Sequence, residues 1–423
     1  MNRSKIALLV LLLACFLIRL LFALRIPATE FFYPDGYDYS RVAVGIAQGQ
    51  GFYPPEMKPM NLYRAPLYPY LLAGVYKTAG IENLSAVRVL QCFLAVLTGL
   101  LIFGICRLWS LTAAGWIALA IFTLHPFFIY YCAGISPESL YLLLCLLSYF
   151  LLFKLFKTQQ LRYAFPAGIS LGLAALTKGT ILLIAPAAAL TLSLCMKKTR
   201  TKSLCAIGIL AASSFLTISP LTCWIHRRWN EFGLMLDGAG INFWIANSDS
   251  GYRLLRAKTS EEFQGIQKHI YLEEIPAMNP AIEQLGPKAR NAYYNRMGWH
   301  YVRQYPDRSL WMGFQRLKIF WKPWVHPLAY RPREVLLSAA ATLPLFFFGF
   351  WGLFLRLKSR EPDAIFTAAA FLILSVMVGF LYNTEIRYRI PLIDSLLTVY
   401  AGIALAHLLR WDAKTQRTSK SVL

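Results

Sequence analysis

Two acids three residues apart, Asp35 and Asp38, stand in Tyr33-Pro34-Asp35-Gly36-Tyr37-Asp38-Tyr39, a few residues past the first long apolar run. A positioned carboxylate can draw a proton from an attacking hydroxyl, a contribution worth about 10²–10⁴-fold in rate. The apolar positions Val42, Ala43, Ile46 and Ala47 predict a helix that starts near Tyr37 or Asp38. Asp35 then lies in the loop before it, as a base or as a plain solvated acid. Asp38 caps the helix or sits in its first turn.

Several cations could answer these acids or hold an anion. Arg64, ahead of Pro66, either snorkels at an interface or grips a phosphate, for which a guanidinium fork is better shaped than an ammonium. Lys178 interrupts two apolar runs. A lysine at the centre of a membrane helix costs roughly 2.5–3.5 kcal/mol on insertion scales, so its ammonium must reach water, a phosphate or a carboxylate. Glu138, after Pro137, reads as ordinary helix initiation or as a functional acid. The cluster Glu385-Ile386-Arg387-Tyr388-Arg389 precedes the last apolar run; it either snorkels or closes a cavity and binds phosphate through Arg387 or Arg389.

Positioning these side chains falls to a membrane domain. The chain is 57% hydrophobic and only 15% charged, which fits a polytopic membrane protein. About 20 apolar residues cross a hydrocarbon core of roughly 30 Å. Runs near that length begin at Ile6, Val87, Leu111, Leu140, Leu204, Val335, Ala364 and Ile390. Two shorter runs, Tyr163–Leu176 and Gly179–Met196, are either two tilted spans or one re-entrant hairpin, so the expected total is about ten segments.

The net charge of +22 is distributed as a membrane would require. Basic residues gather at Arg3/Lys5, Arg107, Lys154–Arg162, Lys197–Lys202, Arg356–Arg360 and Arg410–Lys420, all on one face if the spans alternate. That bias predicts cytoplasmic termini and argues against a nucleic-acid partner. The first run continues past Cys15, so it is expected to be a retained span rather than a cleaved signal. The eight cysteines lie in or beside apolar runs and read as small hydrophobes, and the six histidines are scattered. No metal site is indicated. A divalent ion is compatible with the chemistry, but no spacing points to one.

Two stretches fall on the opposite, non-cytoplasmic face. The first, 27–85, carries the acids and an interfacial helix around Leu71–Tyr76. The second, from about His226 to Arg333, is rich in Trp, Tyr and Arg, has turn signals at Asp237-Gly238 and Ser250-Gly251, and reads as a mostly helical cap. The expected partition is a membrane catalytic module over 1–225, a cap over 226–333, and C-terminal spans with a cytoplasmic tail over 334–423. The fold class is all-α integral membrane.

The motifs resemble a family. Asp35-Gly36-Tyr37-Asp38-Tyr39-Ser40-Arg41-Val42-Ala43, Gly49-Gln50-Gly51-Phe52, Arg64-Ala65-Pro66-Leu67-Tyr68-Pro69 and Ser136-Pro137-Glu138 occur in this order. They are followed by Gly172–Lys178, Gly240-Ile241-Asn242-Phe243-Trp244 with Asn247, and Glu385–Arg389 with Pro391. The chain resembles the C-superfamily (GT-C) membrane glycosyltransferases, in the bacterial branch related to protein O-mannosyltransferases and aminoarabinose transferases. The resemblance implies a sugar donor on a polyprenyl phosphate, an active site on the outer face of the cytoplasmic membrane, and inversion at the anomeric carbon. It implies Asp35 as the catalytic acid/base, Arg64 as a phosphate contact, Lys178 at a basic position, and Tyr39, Asn242 and Asn247 among the motif residues. One departure stands out: many relatives carry an acid directly after the catalytic Asp, where this chain has Gly36, leaving Asp38 as the substitute. The expected acceptor is a glycan, lipid or protein hydroxyl. A lipid-linked-sugar flippase or a non-catalytic membrane scaffold are the competing classes, but spans nearly free of acids and dissimilar halves count against a transporter.

Overall fold

The computed structural model describes residues 3–31, 34–54, 57, 64–197, 199–236, 238–282, 285–381 and 386–411. Tyr33, Asp237 and Glu385 of the motifs above lie outside them. Every regular element among the described residues is a helix. In chain order these are α1 (Arg3–Ala23), α2 (Pro34–Ala47), α3 (Leu67–Ala79), α4 (Leu84–Leu108), α5 (Thr112–Leu124), α6 (Pro126–Tyr130) and α7 (Glu138–Thr158). Next come α8 (Ala164–Ala175), α9 (Ala185–Cys195), α10 (Arg200–Trp229), and six cap helices: α11 (Ala239–Ala246), α12 (Asp249–Arg256), α13 (Ser260–His269), α14 (Ile275–Ile282), α15 (Pro287–Gln304) and α16 (Pro306–Phe320). The chain closes with α17 (Pro332–Lys358), α18 (Pro362–Leu381) and α19 (Ile386–Leu408).

Seven of these helices are long and apolar enough to cross a membrane: α1, α4, α7, α10, α17, α18 and α19. The chain is therefore a multi-pass membrane protein. The other three expected segments form the shorter α5, α8 and α9. The paired runs around Lys178 resolve as two legs, each covering the depth of α7. Lys178 reaches Glu138 at the start of α7, while at the far end the Gln159 amide donates to Cys195 O. Close backbone approach makes this compact: a Cβ on Gly168 or Gly172 would lie 2.5 Å from Leu210 O or 2.9 Å from Ser214 O, so only glycine lets α8 seat on α10.

Buried polar side chains close the helix ends. Arg19, fully buried in α1, donates to Phe122 O (2.8 Å) and Thr123 O (3.2 Å), the last-turn carbonyls of α5 that no intrahelical amide can reach. Arg316 of the cap donates to Gly379 O of α18 and to Ala246 O of α11, fastening the cap to the bundle. In α19 the missing amide of Pro391 coincides with a π-turn over Ile390–Asp394.

Candidate active site

Asp35 is brought into its place by a helix that starts earlier than its sequence pattern indicates. α2 begins at Pro34, so Asp35 lies in its first turn rather than in the preceding loop, and Asp38 lies one turn further on. A proline suits the first helical turn because its missing N–H would have no partner there, and an acid beside it complements the helix dipole. Gly36 has a reason too. A Cβ at this position would sit 3.0 Å from Ile135 O and 3.2 Å from Phe31 Cβ, and Ile135 N donates to Phe31 O (3.2 Å). The turn ahead of α7 packs directly on this backbone, so no larger residue fits without displacement.

The loop bearing Arg64 is pinned on both sides. Arg64 N donates to the Tyr53 hydroxyl (2.9 Å), and Leu67 N donates to Leu176 O (3.0 Å), beside the turn that carries Lys178. The Tyr68 hydroxyl donates to Gln91 Oε1 (2.8 Å), and the Gln91 amide donates to Cys132 O and Gly134 O, which steadies the approach to Glu138. Thr180 and Tyr141 share a 2.8 Å hydroxyl contact that ties the Lys178 turn to α7.

The result is a cluster of alternating charge. Arg64 Nη2 bonds Asp35 Oδ1 (3.0 Å) and Asp38 Oδ2 (2.8 Å), with Nε adding a second bond to Asp38 Oδ2 (3.2 Å). Arg387 Nη1, at the start of α19, bonds the other oxygen of Asp35 (2.8 Å). Lys178 Nζ donates to Glu138 Oε1 (2.6 Å). The Tyr388 ring sits between two cations, 5.5 Å from Lys178 Nζ and 5.7 Å from Arg387 Cζ. Tyr39, buried below, offers its ring to Arg64 at 5.2 Å. Burial alone would raise the Asp35 carboxyl, but the charges of Arg64, Arg387 and Lys178 outweigh it and hold the group well below the ordinary carboxylate range. Burial likewise pushes the Tyr39 phenol up, so it stays neutral.

The structure thus unites Asp35, Asp38, Arg64, Arg387, Glu138, Lys178 and Tyr39 at one end of the bundle. It does not place the acid across a cavity from the cations: Arg64 and Arg387 touch Asp35 directly. Arg389 is elsewhere in role. It is fully buried, paired with Asp394 (2.8 Å), and donates to Phe320 O (2.6 Å) and Lys322 O (2.7 Å). Asn242 and Asn247 spend their amides on Gly238 O and Phe243 O around α11. Sequence reasoning overlooked Tyr388 and Gln91; an aromatic between two arginines was the one available signal for the first, and none marked the second.

The cluster fits an anion better than a divalent cation. Both oxygens of Asp35 already face guanidinium groups, and Asp38 shares one of them, so a metal would meet positive charge from two sides. Among the described residues no group of three or more His, Cys, Asp or Glu side chains gathers as a metal site.

Comparison with known proteins agrees on architecture. The structure resembles the archaeal oligosaccharyltransferase AglB from Archaeoglobus fulgidus, solved with an inhibitory peptide and a dolichol-phosphate, at TM-score 0.60 and 15% identity, covering 100% of this chain and 52% of that one. An oligosaccharyltransferase of Archaeoglobus fulgidus solved with zinc and sulfate gives TM-score 0.56 and 16% identity over 95% of this chain and 49% of that one. ArnT from Cupriavidus metallidurans, bound to undecaprenyl phosphate, aligns at TM-score 0.45 and 11% identity, over 94% and 78%. The fold is that of the archaeal oligosaccharyltransferase. Residues 63–224 match the model of the dolichyl-phosphate-mannose-protein mannosyltransferase family. No curated protein matches the chain in sequence. The chain spans about half the length of the archaeal enzyme it resembles.

Proposed function

We propose that this protein is a membrane glycosyltransferase that moves a sugar from a polyprenyl-phosphate donor to a hydroxyl of an acceptor, with inversion and with Asp35 as general base. The acceptor oxygen forms its bond to the anomeric carbon as its proton passes to Asp35. The bond from that carbon to the phosphate oxygen breaks, and its electron pair leaves on the polyprenyl phosphate. Arg64, Arg387 and Lys178 supply positive charge for that leaving group, the kind of preorganised stabilisation that contributes most to such steps. A polyprenyl tail keeps the donor in the bilayer, so its phosphate must be met where the spans end. There the cluster stands, and charge distribution supports assigning that end to the outer face of the cytoplasmic membrane, with both termini inside.

The observation that carries this reading is the meeting of Asp35, Arg64 and Arg387, distant in sequence, in one ion-paired network within a GT-C fold. Its test is direct. Purified protein in nanodiscs is incubated with undecaprenyl-phosphate-linked hexoses and pentoses plus an envelope extract, and release of undecaprenyl phosphate is followed by mass spectrometry. Acceptor-dependent release that vanishes in Asp35→Asn is the expected result. Equal release from both proteins would remove Asp35 as the base, and no release with any sugar would remove the transferase reading.

A further inference from the structure

Among the described residues of the site, three acids face three cations: Arg64 pairs with Asp35 and Asp38, Lys178 with Glu138, and Arg387 with Asp35. Such a set has little surplus positive charge with which to attract a phosphodiester. An incoming phosphate gains its guanidinium contacts only if an acid gives them up. The acids are not equally able to do so. Asp38 is buried and holds Arg64 through two bonds, and Glu138 is buried against Lys178. Asp35 is 29% exposed and bridges Arg64 to Arg387, itself 28% exposed, through one bond to each.

We infer that Asp35 and the donor phosphate compete for the same pair of arginines, so that arrival of the donor is what releases the base. This rests on the function proposed above and adds its regulation. One carboxylate charge leaves the guanidinium pair as one phosphodiester charge takes its place, so the exchange conserves charge. Asp38 keeps Arg64 in position throughout, and the Tyr388 ring lies within reach of both Arg387 and Lys178. Once relieved of two cations, the Asp35 carboxylate regains ordinary basicity, and it does so only when an anomeric carbon is beside it. A carboxylate held by two arginines is a poor proton acceptor, so the competition couples base strength to donor occupancy.

The test measures binding of undecaprenyl phosphate, the proposed leaving group, to the full-length protein in nanodiscs by native mass spectrometry. Asp35→Asn removes the competitor, and its affinity should rise by about tenfold over the natural protein. Asp38→Asn removes Arg64's anchor, and its affinity should stay level or fall. Equal affinity in the natural protein and Asp35→Asn would overturn the competition while leaving the transferase reading intact. Equal tightening in Asp38→Asn would reduce the effect to net charge and overturn it as well. Absence of binding in every protein would bring down both proposals. Should Asp35→Asn fail to fold, Asp35→Ser provides the same comparison.

Discussion

Arg387 and Arg389 are two residues apart, both paired with an aspartate, and they show opposite uses of the same chemistry. Arg387 and Asp35 are each more than a quarter exposed and belong to a shared network. Arg389 and Asp394 are wholly buried, and Arg389 also satisfies two backbone carbonyls. Water and neighbouring charges can compensate the first pair when it opens, so it can change partners. Nothing can compensate the second, so it stays closed. Burial, rather than residue type, separates an ion pair open to exchange from one locked in the core.

That contrast can be broken experimentally. The largest expected effect is on rate: Asp35→Asn should lower sugar transfer by about 10²–10⁴-fold while lowering the melting temperature in detergent only slightly, through loss of its ion pairs. Arg389→Met should do the reverse, costing about 3–5 kcal/mol of stability as it strands Asp394, seen as a lower melting temperature or lost expression. Adding Asp394→Leu should restore most of it; a double variant as unstable as the single one would show that the carbonyl contacts matter more than the charge. Gly36→Ala sharpens the comparison from the other side. Its new Cβ would press on Ile135 O, with an expected cost of about 1–3 kcal/mol and reduced transfer as α2 tilts. Unchanged activity and stability would mean that the turn yields freely.

The smallest effect concerns pH. The Asp35 carboxyl is depressed in the folded protein, so its pairing contributes fully above the ordinary carboxylate value of about 3.9 and is lost as pH falls below it. The melting-temperature difference between the natural protein and Asp35→Asn should therefore be flat from about pH 8 to about pH 5 and shrink below about pH 4. A difference that changes between about pH 6 and pH 7 would show that Asp35 is not held by its arginines.

Much of this was legible from residue order. Apolar run lengths gave the seven long helices, and the Trp-, Tyr- and Arg-rich stretch was expected to be mostly helical, as α11 to α16 are. Lys178 stood out because charge is costly within a membrane, and Asp35, Arg64, Glu138 and Arg387 because their side chains could do chemistry just outside the apolar runs. What could not be read was partnership. Arg387 and Arg389 look equivalent in sequence, because a helix places residues two apart on different faces and only packing decides which face is buried. The start of α2 was misplaced because the apolar pattern begins a turn later than the proline that opens the helix. Gly36 seemed a missing acid, and only the nearby Ile135 carbonyl reveals it as a steric requirement.

The carbonyls held by Arg389 belong to Phe320 and Lys322, at the seam where the cap rejoins the bundle. Anyone wishing to exchange caps between related proteins should cut upstream of Phe320 and keep the seam with the recipient. A splice downstream of Lys322 would import foreign backbone beneath a guanidinium that tolerates no mismatch, and the damage would reach Arg387 two residues away.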